Sequence, residues 1–573
     1  MRKLLMKRFL FLAIISLLIV LYFAPFALSK SDLINIKILA INDFHGNLEA
    51  GNLTFPPSGT SDRIPAGGVE YLATHIKNLR VTNPQVKPQN TVTVSAGDMV
   101  GASPLISALF HDEPAIEALN SLGLELNAVG NHEFDEGAEE LYRKQKGGCH
   151  PIDGCRDGDS FGGAKFKFLA ANVINSRNGK PIFPAYQVRT FDGIKMAFIG
   201  MTLKGTSNLV SSSGIVGLEF KDEATTVNAL IPELKKQGIK AIAVILHEGG
   251  LNTGNYNGCE GISGAIVDIV KNTNPEVDLF ITGHTHQAYN CQIDRRLVTS
   301  ASSYGRLVSD IDVTLDRGTG DVASMRANNV VVTHDVPKDR ALTQIVNKYK
   351  VIAAPLVNRT IGSITADITR TADRNGISPL GRMIADAQLA ATADASQGGA
   401  VAAFMNPGGI RTDLSYSESE VKGVVTYGQA FAVQPFRNRL VTMTLTGKQI
   451  KQLLERQFDN PRSGRNRILQ VSQGFTYNYS NSAALGNRVS NIAIAGIPIA
   501  PNNDYRITVN SYIADGGDNF AVLKEGRDRI EGELDIEALE AYFKMQSPIS
   551  PKAPSPISSQ KQNLDRNSTL NNQ

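Results

Sequence analysis

Five short stretches of this 573-residue chain carry side chains that bind metal ions and move protons. In chain order they supply Asp43 and His45 (NDFHG), Asp98 (SAGD), Asn131 and His132 (GNHEFD), His247 (ILHEGG), and His284 and His286 (GHTH). Carboxylates, a neutral amide and imidazoles form a mixed oxygen and nitrogen donor set, without thiolates, that suits zinc, manganese or similar ions. Asp43, His45, Asp98, Asn131, His247, His284 and His286 are more donors than one tetrahedral ion needs. Two ions sharing one carboxylate would use them all. A pair roughly 3.5 to 4 Å apart is a known device for activating water and stabilising both oxygens of a phosphoryl displacement. A lone GD or GNH is usually a turn; it is the ordered set that points to a dinuclear hydrolase. His75 and His111 lie outside these motifs and read as surface or packing histidines.

Four of the motifs close an apolar run of strand length, and GNHEFD ends a further segment. The runs are IKILAIND, TVTVSAGD, FKFLAANV, KMAFIGMT, AIAVILHE and DLFITGHTH, between Ile36 and about Leu315. Continuous rather than alternating apolarity marks strands buried on both faces. Helical spacing lies between them, over Val69 to Asn78 and Glu223 to Gln237. The first half is therefore an α/β layered domain, in which sites form beyond the carboxyl ends of the strands. The donors would converge there.

The length predicts two or more domains. A hydrophobic content of 42%, a charged content of 20% and a net charge of +3 describe an ordinary globular chain and give no sign of a nucleic-acid binder. No solenoid repeat is present. We read a first domain over 32–335, a linker helix within 336–360 after Pro337, a second domain over 361–545, and a disordered Ser-, Pro-, Asn- and Gln-rich tail over 546–573. Arg2, Lys3, Lys7 and Arg8 precede an apolar run from Phe9 to Leu28, the layout of a secretory signal over 1–29 or of an uncleaved anchor. Export to the periplasm or the extracellular space follows, with membrane contact only if that segment is retained. In an exported chain the four cysteines read as two disulfides. Proximity in sequence pairs Cys149 with Cys155 and Cys259 with Cys291.

The second half holds ITRTADRNGISPLGRMIADA, MNPGGIRTDL, VQPFRNRL and NSYIADGGDNF. Taken singly, these are turns, solvated arginines and core aromatics. Together they hold what a nucleoside monophosphate requires: guanidiniums for phosphate, polar groups for ribose and aromatic faces for the base.

The series D-x-H, GD, GNHE-x-D, H and GHTH resembles the calcineurin-like metallophosphoesterase superfamily. NDFHGN, GNHEFD and TGHTH together resemble the 5′-nucleotidase family within it, which includes periplasmic UDP-sugar hydrolases. The resemblance spans nearly the whole mature chain. It implies a four-layer α/β/β/α metallophosphoesterase domain, a linker helix acting as a hinge near Asp339 to Leu356, and an α+β C-terminal substrate-binding domain. It assigns one divalent ion to Asp43, His45, Asp98 and His286 and a second to Asp98, Asn131, His247 and His284, with Asp98 as the bridge. His132 becomes the catalytic, non-ligating histidine and Asp135 its orienting partner. Arg370, Arg374 and Arg411 contact phosphate, Phe436 and Tyr512 sandwich the base, Asp518 binds ribose, and Asn406 falls in the pocket.

There are departures. Tyr512 stands where relatives commonly have Phe, Pro407 where Ser is usual, and some relatives carry Gln in place of His286. The implied activity is phosphate release from nucleoside 5′-monophosphates, with 2′,3′-cyclic nucleotides and UDP-sugars as further candidates. Competing readings are a hydrolase of another phosphorus or sulfur ester and a catalytically inactive binding protein. The second of these predicts lost donors, and none of the seven is missing.

Overall fold

The computed structural model describes residues 32–51, 53–56, 63–417, 419, 421–460, 464–552 and 557–559. The expected signal or anchor over 1–29 lies outside them. Among the described residues no helix is long and apolar enough to cross a membrane.

Two six-stranded sheets pack face to face in the first half. One runs Asp321–Val331, Leu307–Asp316, Leu33–Ile41, Thr91–Ser95, Leu126–Ala128, Lys167–Leu169. The other runs Ala288–Ile293, Arg296–Ala301, Leu279–Thr282, Ala241–His247, Ile194–Thr202, Tyr186–Phe191. The strands that lead into the donor motifs pair in parallel with one another or with the next strand in the sheet, apart from the antiparallel pairing of Leu33–Ile41 with Leu307–Asp316; antiparallel strands close three of the four edges, and Lys167–Leu169 closes the fourth in parallel.

The strand period of two explains the layering. Ile36, Ile38 and Ala40 point inward and meet Met196, Phe198, Ala243 and Ile281 of the facing sheet. Leu39 and Ile41 point outward to Val69, Leu72 and Ile76 of the helix Val69–Leu79. On the far side Ile199, Met201, Val244 and Leu246 meet Val227, Ile231 and Leu234 of the helix Glu223–Lys236. Helix, sheet, sheet and helix make the expected four layers. Runs without polar alternation are what two buried faces require.

The helix Arg340–Val357 joins the halves. Asp339 caps it, its side chain accepting from the N–H groups of Ala341 and Leu342. Leu342, Val346, Tyr349 and Ala353 sit in the first half's core, whereas Leu356 and Val357 pack on the core of the second. That second core also takes in Leu105 of the first half beside Ile361 and Phe431.

The second half is α+β. A five-stranded sheet orders Gln470–Val471, Ala402–Met405, Asp504–Asn510, Arg439–Thr446 and Arg527–Leu534. The helix Pro379–Thr392, capped by Ser378, packs against it. A four-stranded sheet lies beside it and corrects one expectation. The tail does not lose structure at 546: Ile557–Ser559 forms a strand that pairs in parallel with Phe475–Tyr479, and Ile557 is buried in the core. One apolar residue in a polar stretch is enough to hold a short edge strand. Both expected disulfides form, Cys149 to Cys155 and Cys259 to Cys291.

Candidate metal centre and substrate cavity

The donor residues sit at the carboxyl ends of strands from both sheets. Asp43 and His45 follow Leu33–Ile41, Asp98 follows Thr91–Ser95, Asn131 follows Leu126–Ala128, His247 ends its own strand, and His284 and His286 follow Leu279–Thr282. Five of them hold a left-handed backbone: Asp43 (φ 50°), His45 (49°), Asp98 (53°), His284 (68°) and His286 (55°). Such conformations are disfavoured for side-chain-bearing residues and persist where surrounding structure enforces them, as at functional sites. Glycines make room. A Cβ on Gly130 would lie 2.2 Å from Asp98 Oδ1, and one on Gly283 would lie 2.7 Å from the Ala96 carbonyl.

The chain turns therefore bring the side chains into two groups. Asp43, His45 and His286 present ligand atoms within 4.8 Å of one another, and so do Asp98, His247 and His284. Asp98 stands between the groups, with Oδ2 3.7 Å from His45 Nε2 and 3.0 Å from His247 Nε2. Asn131 Oδ1 lies 3.2 Å from His247 Nε2.

The donor chemistry fits divalent ions. Nδ1 of His45 lies 2.9 Å from the Gly101 carbonyl and Nδ1 of His247 lies 2.7 Å from the Ala96 carbonyl. A carbonyl only accepts, so each Nδ1 carries hydrogen and each Nε2 is turned toward the carboxylates, the arrangement ligating histidines use. Asp43 and Asp98 are buried anions that need a compensating cation. Burial pushes Asp98 up, but His247 and His132 outweigh it and hold the carboxyl well below its ordinary value. Burial pushes His247 down, but the Asp98 carboxylate beside it outweighs burial and pushes it up to about 10, a mark of how strongly this carboxylate attracts positive charge. Burial and His247 push His284 down to about 3, the neutral form that ligates.

His132 is placed differently. Its backbone N–H donates to Asp98 Oδ1 at 2.9 Å, and its Nδ1 lies 2.8 Å from Asp135 Oδ2. Its Nε2 has no hydrogen-bond partner among the described residues, and the ring lines the cavity. Burial pushes its proton affinity down, but Asp135 and Asp98 prevail and raise it. Glu133, between the two motif residues, carries no expectation from sequence. Its buried carboxylate accepts from the N–H groups of Asp98 (2.9 Å), Met99 (2.9 Å) and Gly130 (2.7 Å), tying two donor loops together.

A cavity of about 270 Å³ opens over this cluster, between the halves. Asn131, His132, Asp135 and His284 line one side; Asn406, Arg411, Phe436, Tyr512 and Asp518 line the other. Arg370 and Arg374 are not brought there. Both are exposed, and the Arg370 guanidinium donates to the Ile410 carbonyl at 3.2 Å. Phe436 stacks on His132, with ring centres 5.7 Å apart at 19°. Asp518 is held from three directions, accepting from Asn406 (2.9 Å), Arg467 (2.5 Å) and the Tyr512 hydroxyl (3.1 Å). That hydroxyl also lies within bonding distance of the Asn208 carbonyl of the first half, at 2.8 Å.

Sequence reasoning missed Arg437, Asn438 and Arg467 on this wall and Leu209 to Ser211 opposite. Arg437 and Asn438 lie inside VQPFRNRL, the segment that supplies Phe436. Arg467 follows no motif.

Comparisons with known proteins agree with this architecture. Residues 36–288 match the family model described as calcineurin-like phosphoesterase, and residues 360–525 match the one described as 5′-nucleotidase, C-terminal domain. The chain is 33% identical over 513 residues to the endonuclease YhcR of Bacillus subtilis (strain 168), covering 89% of this chain but only 39% of that protein. It is 32% identical over 562 residues to the cell wall protein Lmo0130 of Listeria monocytogenes, covering 91% of this chain and 69% of the relative. Among solved structures, a 5′-nucleotidase precursor from Thermus thermophilus aligns with a TM-score of 0.75 at 25% identity, over 92% of this chain and 99% of that one.

Proposed function

The chain belongs to the 5′-nucleotidase family of calcineurin-like phosphoesterases, and on that premise we propose that it releases phosphate from nucleoside 5′-monophosphates outside the cytoplasm. The carrying observation is the single cavity that has Asn131, His132 and His284 on one side and Arg411, Phe436, Tyr512 and Asp518 on the other. A phosphate set against the first group leaves its nucleoside facing the second. Residues 32–335 supply the chemistry and 361–545 the recognition, joined by 336–360.

Asp43, His45, Asp98 and His286 hold one divalent ion in this reading, and Asp98, Asn131, His247 and His284 hold the other. Bound there, the two ions supply the Lewis acidity that activates water and neutralises phosphoryl charge. The chain's own groups do the rest. Asp135 keeps the His132 Nδ1 hydrogen in place, so that Nε2 meets the leaving oxygen and gives it a proton as the phosphorus–oxygen bond breaks. Arg411 steadies the phosphate by charge-assisted hydrogen bonds. Phe436 and Tyr512 offer faces to the base, and the Asp518 carboxylate accepts from ribose hydroxyls. Two disulfides support an oxidising compartment.

The test is phosphate release from AMP, UMP, 2′,3′-cyclic nucleotides and UDP-glucose, with and without Mn²⁺ or Zn²⁺. Release from AMP in the presence of metal is expected. No release from any substrate would replace this reading with that of an inactive scaffold.

A further inference from the structure

Asn510 ends the strand Asp504–Asn510 and caps the short helix Ser511–Ala514 that carries Tyr512. It is buried and is not among the residues that line the cavity. A buried amide has donors on one side and an acceptor on the other, and its partners fix which way it faces. Oδ1 of Asn510 accepts from the Ile513 N–H at 3.1 Å, so Nδ2 points the opposite way. From there Nδ2 donates to Asn406 Oδ1 at 2.8 Å and meets Met405 Sδ at 3.4 Å. With its oxygen taken, the buried Asn406 presents its own Nδ2 to Asp518 Oδ2 at 2.9 Å.

These side chains form a one-way relay. It starts at a backbone N–H, which can only donate, and ends at the carboxylate in the cavity. The strands make it possible. Ala402–Met405 lies parallel to Asp504–Asn510, with Phe404 beside Val509, so Asn406 and Asn510 leave neighbouring strands at the same end. At its other oxygen Asp518 accepts from Arg467 at 2.5 Å and from the Tyr512 hydroxyl at 3.1 Å. Asn510 therefore acts on the cavity twice, through the amide of Asn406 and through the first turn of the helix that carries Tyr512.

We infer that Asn510 is a positioning residue for nucleoside binding, which fixes the direction of the Asn406 amide and so holds the Asp518 carboxylate where it meets the ribose. The inference rests on the nucleotidase reading above, in which Asp518 accepts from ribose hydroxyls, and adds what keeps it in place. A residue that only capped the helix could be exchanged for another good cap. Aspartate and serine both cap well, and neither can repeat the relay. Asn510→Asp keeps the shape of the side chain but sets an acceptor where Nδ2 was. Asn406 then turns its nitrogen to the new carboxylate and its oxygen to Asp518, acceptor against acceptor. Asn510→Ser is too short to reach Asn406.

The experiment measures kcat and KM for AMP in the metal-loaded full chain, with the inhibition constant of adenosine, which lacks phosphate and reads the nucleoside side alone. Buffers stay well above the carboxylate range. Losing one hydrogen bond to a charged group weakens binding about ten- to a hundredfold. KM and the adenosine constant should rise by about that factor in Asn510→Asp and by less in Asn510→Ser, with kcat little changed. Asp518→Asn supplies the discriminating background. An amide at 518 can give its nitrogen to Asn406 and its oxygen to Arg467, so adding Asn510→Asp there should leave the adenosine constant unchanged or lower it. An equal penalty in both backgrounds makes Asn510 a cap alone and overturns the inference. If the buried charge prevents folding, Asn510→Ser carries the test. A parental adenosine constant in the folded serine variant overturns the inference too, with the nucleotidase reading intact. No phosphate release from AMP by the parent chain overturns that reading and this inference together.

Discussion

Replacing His132 with alanine tests the division between ligand and proton donor most directly. The imidazole has two descriptions in the geometry. It lies close enough to His45 and Asp98 to count with them as a metal-binding group, and it is also oriented by Asp135 at 2.8 Å. The second description gives a number. His132→Ala keeps the backbone N–H that donates to Asp98 Oδ1, so the bridging carboxylate stays in place and two metal equivalents should remain bound. What is lost is proton transfer to the leaving oxygen, a term of about two to four orders of magnitude, or roughly 3 to 5 kcal/mol of barrier at about 1.4 kcal/mol per decade. The Phe436 ring that stacks on His132 also loses its partner, which adds a modest rise in KM. Initial rates of AMP hydrolysis, with metal content measured by elemental analysis on the same samples, decide the matter. Turnover at the parent rate removes the proton-donor role. Loss of one metal equivalent makes His132 a ligand and refutes the reasoning from Asp135.

Two further outcomes follow from contacts at the edges of the site. Tyr512→Phe keeps a stacking face but loses the hydroxyl that meets the Asn208 carbonyl and the Asp518 carboxylate; loss of one hydrogen bond of about 0.5 to 1.5 kcal/mol predicts a KM for AMP raised roughly two- to tenfold with kcat little changed. Steady-state kinetics check it. His111 lies between Glu136 and Asp153, 2.8 Å from each, and although burial opposes its charge these partners raise its proton affinity. A raised folded value stabilises most below the unfolded one, near 6.5, and the gain is lost as pH rises through the folded value. His111→Asn should therefore lower the melting temperature more at about pH 5.5 than at about pH 9. Equal losses at both would contradict the charged bridge.

Strand ends were legible because two faces bury each strand, so apolar runs without alternation mark both the strand and the place where it stops. The donors were legible because chemistry limits which residue types can fill those places. What could not be read depends on partners far along the chain. Nothing near Arg467 says that it meets Asp518, 51 positions later. Glu133 looks like any acid in a loop until its burial against three N–H groups is seen. The short strand Ile557–Ser559 exists because the edge at Phe475–Tyr479 accepts it. Arg370 and Arg374 carry the right charge, but the local chain turns them to solvent. His111, read as a surface or packing histidine, is buried, yet it also bridges the turn at Glu136 and the disulfide loop through two carboxylates.

The left-handed turns at Asp43, His45, Asp98, His284 and His286 bear on how such a centre could be moved to another protein. Its shape is stored in the main chain, with glycines such as Gly130 and Gly283 leaving no room for a methyl group beside the donors. Copying the seven side chains onto a sandwich with ordinary loops would deliver the right atoms to the wrong places. A transplant has to carry the loops whole, together with the buried Glu133 that acts as their clasp.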